Sequence, residues 1–303
     1  VFRILMINYN QVLPIRRDCR IDDQFGWLPL SVIEPARDHR EQWPEAYLDD
    51  GLNESKRSKD AANLPGLRYS EFHAGLAEQV LRYWSMKGSV VVDPFAGRAT
   101  RAVVASKLGR QYEGYEVSPT TYKRVTEHFK KLGVSPKLYN NDGTILTFTE
   151  NESADLVFTC PPYHNLEKYE SATNQLSECE TYEKFMKQIG FCGYHINRVL
   201  KPGAFCVWVV ADWRAVDGSG LHSFHSDLIT SFVKQGLVHH DTIIMKNLSP
   251  FAFVQCAKVA SKRYTSKIHE YIMVFRKQGE YEIPEYCEQD ELRVNSNKFF
   301  SYE

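Results

Sequence analysis

Between residues 89 and 277, short apolar runs alternate with amphipathic stretches of helical length, and no other pattern constrains the fold as tightly. Ser89–Phe95 (SVVVDPF) is almost continuously apolar, as expected of a strand buried on both faces. A helix over Thr100–Leu108 follows, closed by Gly109, then a strand over Gln111–Val117. Ser118–Leu132 predicts the next helix, with Ser118 as its cap, Pro119 in its first turn and Gly133 just beyond. Pro136–Asn141 and Ala154–Thr159 read as the third and fourth strands. Thr181–Leu200 predicts a long helix ended by Lys201-Pro202-Gly203, Ala204–Ala211 a fifth strand, and His222–Gln235 another helix. Val238–Lys246 and His269–Lys277 supply the last two strands, and a short helix carrying Leu76, Val80 and Leu81 precedes the series. The alternation predicts an α/β fold, a doubly wound, mostly parallel seven-stranded sheet with helices on both faces. Ligands of such sheets sit beyond the carboxyl ends of the central strands.

Residues 1–68 are irregular and predict an arm or cap, residues 69–277 the α/β domain, and residues 278–303 a polar tail. A net charge of −1 over 303 residues means that any nucleic-acid contact must come from a local basic patch. No apolar run is long enough to span a bilayer and no leader pattern opens the sequence, so the expectation is a cytoplasmic protein without membrane attachment. The seven cysteines (Cys19, Cys160, Cys179, Cys192, Cys206, Cys256, Cys287) form no CxxC pair, and no metal site is expected.

Three consecutive strand ends carry groups suited to a nucleoside. The first ends in Asp93-Pro94-Phe95-Ala96-Gly97-Arg98-Ala99-Thr100, a glycine-bearing turn that lets a ligand approach the backbone at a helix start. Glu116 ends the second strand, where an acid can accept from ribose hydroxyls. Asp142 ends the third, placed to accept from an adenine amino group.

The fourth strand ends in Thr159-Cys160-Pro161-Pro162-Tyr163. Two prolines fix φ and remove two donors, and Cys160 is pushed to extended geometry ahead of them. The product is a rigid acceptor loop with an aromatic ring at its end. Such a loop suits an amino group on a planar ring: carbonyls holding both hydrogens favour a pyramidal nitrogen with its lone pair free. Tyr163 would stack on that ring.

With both motifs in view, the sequence resembles the DNA amino-methyltransferases that modify N4 of cytosine or N6 of adenine. Asp93–Thr100 is similar to their methyl-donor motif, and Cys160–Tyr163 to their Asp/Ser/Asn-Pro-Pro-aromatic motif, over about residues 70 to 277. The resemblance implies a Rossmann-like methyltransferase sheet and S-adenosylmethionine as cofactor. It implies cofactor contacts at Asp93, Phe95, Ala96, Gly97, Thr100, Glu116 and Asp142, with Phe72 in the preceding Ser70–Leu76 segment. It implies catalysis at Thr159, Cys160, Pro161, Pro162 and Tyr163 on a base flipped from double-stranded DNA. Two departures stand out. Ala99 replaces a usual glycine, and Cys160 replaces Ser or Asp; cysteine is nearly isosteric with serine, which favours cytosine N4 over adenine N6.

Lys246, Lys258, Lys262, Arg263 and Lys267, interleaved with aromatics and hydroxyls, are candidate DNA contacts. His164–Ser177 is a second candidate, and Asp212-Trp213 could line the pocket. A methyltransferase acting on RNA adenine or on protein glutamine, and an inert nucleic-acid-binding protein, remain alternatives. Oligomeric state, recognition sequence, and a restriction-modification, phage or orphan role stay open.

Overall fold

The computed structural model describes residues 29–35, 39–48, 71–165, 175–215, 218–246, 256, 259–282 and 284. Ten strands occur in chain order among them: β1 (Val32–Ile33), β2 (Val90–Asp93), β3 (Gln111–Tyr115), β4 (Lys137–Tyr139), β5 (Ala154–Thr159), β6 (Leu200–Val210), β7 (Trp213–Arg214), β8 (Leu221–His222), β9 (Leu237–Lys246) and β10 (His269–Lys277). The helices are α1 (His39–Gln42), α2 (Ala74–Trp84), α3 (Thr100–Lys107), α4 (Pro119–Leu132), α5 (Tyr182–Val199) and α6 (Phe224–Lys234).

Eight strands form one sheet in the order β1-β9-β10-β6-β5-β2-β3-β4, and β7 and β8 pair as a separate small ribbon. The seven strands expected from sequence are all present. β2, β3, β4, β5 and β6 pair in parallel, whereas β10 runs antiparallel to both β6 and β9. The eighth strand is β1, which comes from the N-terminal arm and joins β9 in parallel through Val32–Ile244 and Ile33–Met245.

Alternation along the central strands builds two cores. Val91, Leu156, Phe158, Phe205, Val207 and Val209 face α2, α3 and α4, while Val92, Val157, Cys206, Trp208 and Val210 face α5 and α6. Helix starts follow the sequence signals: the Ser118 and Thr181 side chains accept from the Thr121 and Lys184 amides, each at 3.2 Å. Two boundaries differ: His222, expected to open the last helix, pairs with Trp213 in β8, and α6 starts at Phe224. Lys201-Pro202-Gly203 does not merely end α5; the strand β6 already begins at Leu200. Among the described residues no helix is long and apolar enough to cross a membrane, and no group of His, Cys, Asp and Glu could hold a metal ion.

Candidate active site

The carboxyl ends of β2, β3, β5 and β6 open onto a cavity of about 570 Å³, within the range of small-molecule sites. Of the residues assigned from sequence to the cofactor, Phe72, Phe95, Ala96, Gly97, Thr100, Glu116 and Asp142 line it. Cys160, Pro161, Pro162 and Tyr163 line it as well, so the two motifs share one cavity.

Asp93 and Thr159 do not reach that wall. Both are fully buried, and Asp93 is the knot beneath the loops. Its Oδ1 accepts from the Phe95 amide at 3.1 Å and from Thr159 Oγ1 at 2.6 Å. Its Oδ2 accepts from Arg101 Nε at 2.6 Å and from Tyr112 OH at 2.7 Å. Arg101 also donates to the Phe95 carbonyl at 2.5 Å, so one ion pair ties the methyl-donor turn, α3, β3 and the root of the Pro-Pro loop together. Burial opposes the charge of Arg101, but the adjacent Asp93 carboxylate outweighs it and raises the guanidinium pKa. The guanidinium lies 4.7 Å over the Phe72 ring, whose edge meets Phe158, which fixes Phe72 at the cavity.

The turn itself is held in left-handed backbone at Gly97 (φ 57°) and Ala99 (φ 72°). A Cβ on Gly97 would meet only the Phe95 carbonyl, at 3.9 Å, so bare backbone faces the space there. Ala99 thus adopts, at a cost of about 1–2 kcal/mol, the conformation that glycine takes freely. Glu116 accepts from the Ser118 amide at 2.7 Å. Burial pushes its carboxyl up to about 7 against the lowering effect of the Ser118 and Gly97 amides. Asp142 uses Oδ1 to accept from Thr144 N and Oγ1, at 2.8 and 2.7 Å, which sets its carboxylate at the cavity wall.

Tyr163 is held edge-on by Trp213 and Phe224, with ring centroids 5.2 and 6.4 Å away. Trp213 is buried at 6% exposure and supports Tyr163; it is a packed tryptophan and does not line the cavity. Asp212, likewise off the wall, accepts from His225 N and Nδ1 at 3.2 and 2.8 Å.

Of the candidate DNA contacts, Lys246 lies at the cavity, while Lys262, Arg263 and Lys267 are exposed elsewhere. Lys258, Ser70, Ser249–Phe251 and residues 166–174 lie outside the described residues. The structure adds residues that sequence reading missed. Glu71, Arg98 and Arg101 face the cavity, as do His39, Arg40 and Tyr47 from the N-terminal arm. Arginines at 98 and 101, spaced by three on either side of a helix start, were the available signal.

The sheet and its flanking helices form a Rossmann-like α/β fold, and solved structures bear out that fold. TrmN from Thermus thermophilus is 14% identical, with a TM-score of 0.50 over 79% of this chain and 53% of its own. The 4+2 cyclase SpnF is 16% identical, with a TM-score of 0.51 over 82% and 98%. A candidate DNA modification methylase, also from Thermus thermophilus, is 27% identical, with a TM-score of 0.34 over 46% and 52%. The chain therefore spans about half the length of two of these three proteins. A cyclase on the same fold shows that fold alone does not select the reaction. The family profile described as DNA methylase, of the N6/N4 methyltransferase type, matches residues 29–127 and 154–300. The chain belongs to that family, whose methyl donor is S-adenosylmethionine. No curated protein sequence matches it.

Proposed function

We propose that this chain methylates the exocyclic amino group of a base flipped out of double-stranded DNA, with cytosine N4 as the favoured target. The observation that carries the reading is that Cys160–Tyr163 and the Gly97–Glu116 wall line one cavity. S-adenosylmethionine, when bound, supplies an electrophilic methyl group. The residues present fit its nucleoside: bare backbone at Gly97, a half-buried acid at Glu116 for the ribose hydroxyls, and Asp142 for the adenine amino group. Pro161 and Pro162 have no amide hydrogen, so the carbonyls of the loop are free of competition from these two residues' own donors. Accepting both hydrogens of a base amino group, they favour a pyramidal nitrogen. Tyr163, stiffened by Trp213, offers a face for stacking the base. The Cys160 thiol stands in the place of a serine hydroxyl and lacks the carboxylate of the adenine branch, which supports cytosine. Arg214 stacks on Tyr264 at 3.6 Å, within a segment whose exposed Lys262, Arg263 and Lys267 are suited to phosphate contacts.

The test is label transfer from S-adenosylmethionine to DNA, RNA and protein offered side by side; label confined to RNA or protein overturns the proposal. Tyr163→Ala is expected to lower kcat/KM for DNA by about 10- to 100-fold, the worth of one aromatic–base stack. Calorimetry should show its affinity for S-adenosylhomocysteine unchanged, because Tyr163 serves the base and not the nucleoside.

Glu116 gives a pH dependence. Ionised, it accepts from both ribose hydroxyls; protonated, it loses one acceptor. Affinity for S-adenosylhomocysteine should therefore rise from pH 6 to pH 8, by up to about tenfold as the carboxyl ionises near 7. Titration of Glu116→Gln should be flat over that interval. The sign for stability is opposite. A carboxyl raised in the folded state binds its proton more tightly than in the unfolded chain, so its contribution to the ligand-free protein falls as pH rises from about 4.5 through about 7.

A further inference from the structure

We propose that Tyr264 fills the gap left in the DNA stack when the target base is extruded, with Arg214 holding its ring in place. This assignment rests on the proposal that the chain methylates a base flipped out of double-stranded DNA. Residues 247–268 join β9 to β10, and the cavity wall includes both Lys246 at the end of β9 and Glu270 near the start of β10. The connection therefore leaves and re-enters the sheet at the rim where the base would arrive. Lys262, Arg263 and Lys267 on it are exposed, a concentration of cations suited to phosphates. Tyr264, directly after two of them, is 42% exposed. The other exposed aromatic side chains among the described residues differ: Phe148 lies in a stretch, 140–153, without lysine or arginine, and Phe191 and Tyr194 lie within α5.

Two features hold this ring out. The chain turns sharply just before it: the Lys262 and Tyr264 amides both donate to the Val259 carbonyl, at 3.0 and 3.2 Å, and the Arg263 amide donates to the Ala260 carbonyl at 2.9 Å. Arg263 is left-handed in this turn (φ 57°), at a cost of about 1–2 kcal/mol that glycine would not incur. The Arg214 guanidinium lies 3.6 Å over the Tyr264 ring. It covers one face, restrains the ring and adds a further cation beside it. A flat ring braced in this way can enter the base stack and recover part of the stacking that extrusion of a base costs. Arg214 belongs to β7, where successive side chains point to opposite sides. Trp213, the residue before it, is buried against Tyr163, with ring centroids 5.2 Å apart. One two-residue strand thus braces both rings, Tyr163 for the extruded base and Tyr264 for the space it vacates.

The experiment measures methylation of duplex genomic DNA, and of the same DNA after heat denaturation, by the wild type, Tyr264→Ala and Tyr264→Phe. Denatured DNA has no stack to refill. Tyr264→Ala is expected to lower kcat/KM on the duplex by about 10- to 100-fold, the worth of one aromatic–base stack, and to leave denatured DNA methylated at close to the wild-type rate. Tyr264→Phe keeps the ring and should recover most of the duplex rate. Affinity for S-adenosylhomocysteine should be unchanged in both variants, which also shows that they are folded. Equal losses on the two forms of DNA, or a Tyr264→Phe as impaired as Tyr264→Ala, would overturn the assignment. Should the wild type leave denatured DNA unmethylated, duplexes with the modified base paired or mismatched take over the comparison. A mismatched base is easier to extrude, so the Tyr264→Ala loss must shrink on it, and a loss of the same size on both duplexes overturns the assignment. A wild type that methylates no DNA overturns the reading of the function, and this assignment with it. A wild type that methylates duplex DNA, with Tyr264→Ala indistinguishable from it, overturns this assignment alone.

Discussion

Asp93→Ala is expected to lower folding stability by about 3–5 kcal/mol, the cost of leaving a buried charge uncompensated. The charge is that of Arg101, whose side chain is 5% exposed and whose Nε donates to Asp93. Thr159 and Tyr112, both buried, lose their acceptor in the same step. At the usual proportion between free energy and melting temperature, a fall on the order of 10 °C should appear in a thermal melt. The double variant Asp93→Ala/Arg101→Met removes both charges and should recover a large part of it. A single variant that melts like the wild type would show that the knot beneath the methyl-donor turn is not what holds the two motifs together.

Gly143→Ala should be nearly as damaging, for a steric reason. A Cβ at this position would sit 1.8 Å from the Pro94 carbonyl oxygen and 2.6 Å from its carbon, both backbone atoms that no rotamer change can move. The loop carrying Asp142 and the turn carrying Phe95–Gly97 must then part. Overpacking of this severity costs about 3 kcal/mol. Cofactor affinity should fall further than stability does, because Asp142 and Gly97 lie on opposite sides of the contact; displacements on the order of 1 Å cost up to about 100-fold. Titration with S-adenosylhomocysteine measures that loss, and retained wild-type affinity would mean that the two loops do not jointly form the nucleoside wall.

The sequence carried most of this fold because buried parallel strands are apolar runs, and Val90–Asp93, Ala154–Thr159 and Leu200–Val210 are such runs. β1 escaped because two residues have no periodicity, and its partners, Ile244 and Met245, lie at the other end of the chain. The Lys201-Pro202-Gly203 stop hid the start of β6 because turn residues read the same whether a turn or a strand follows. The Pro-Pro loop was readable because proline fixes its own geometry. The resemblance gives Asp93 to the cofactor and Thr159 to catalysis, whereas the hydrogen bonds that bury them join residues 8, 19 and 66 apart, beyond any local pattern. Arg40 and Glu71 pair across 31 residues of sequence, and nothing local marks that pairing.

The most direct test is to incubate the purified protein with labelled S-adenosylmethionine and unmodified double-stranded DNA, then identify methylated nucleosides by mass spectrometry after digestion. Labelled N4-methylcytosine is expected, and is lost when Tyr163 and the prolines of the loop are replaced. N6-methyladenine would retain amino methylation and reject the serine-like reading of Cys160. Methylation at carbon 5 of cytosine, or no labelled DNA while RNA or protein takes up label, would contradict amino methylation of DNA by this protein.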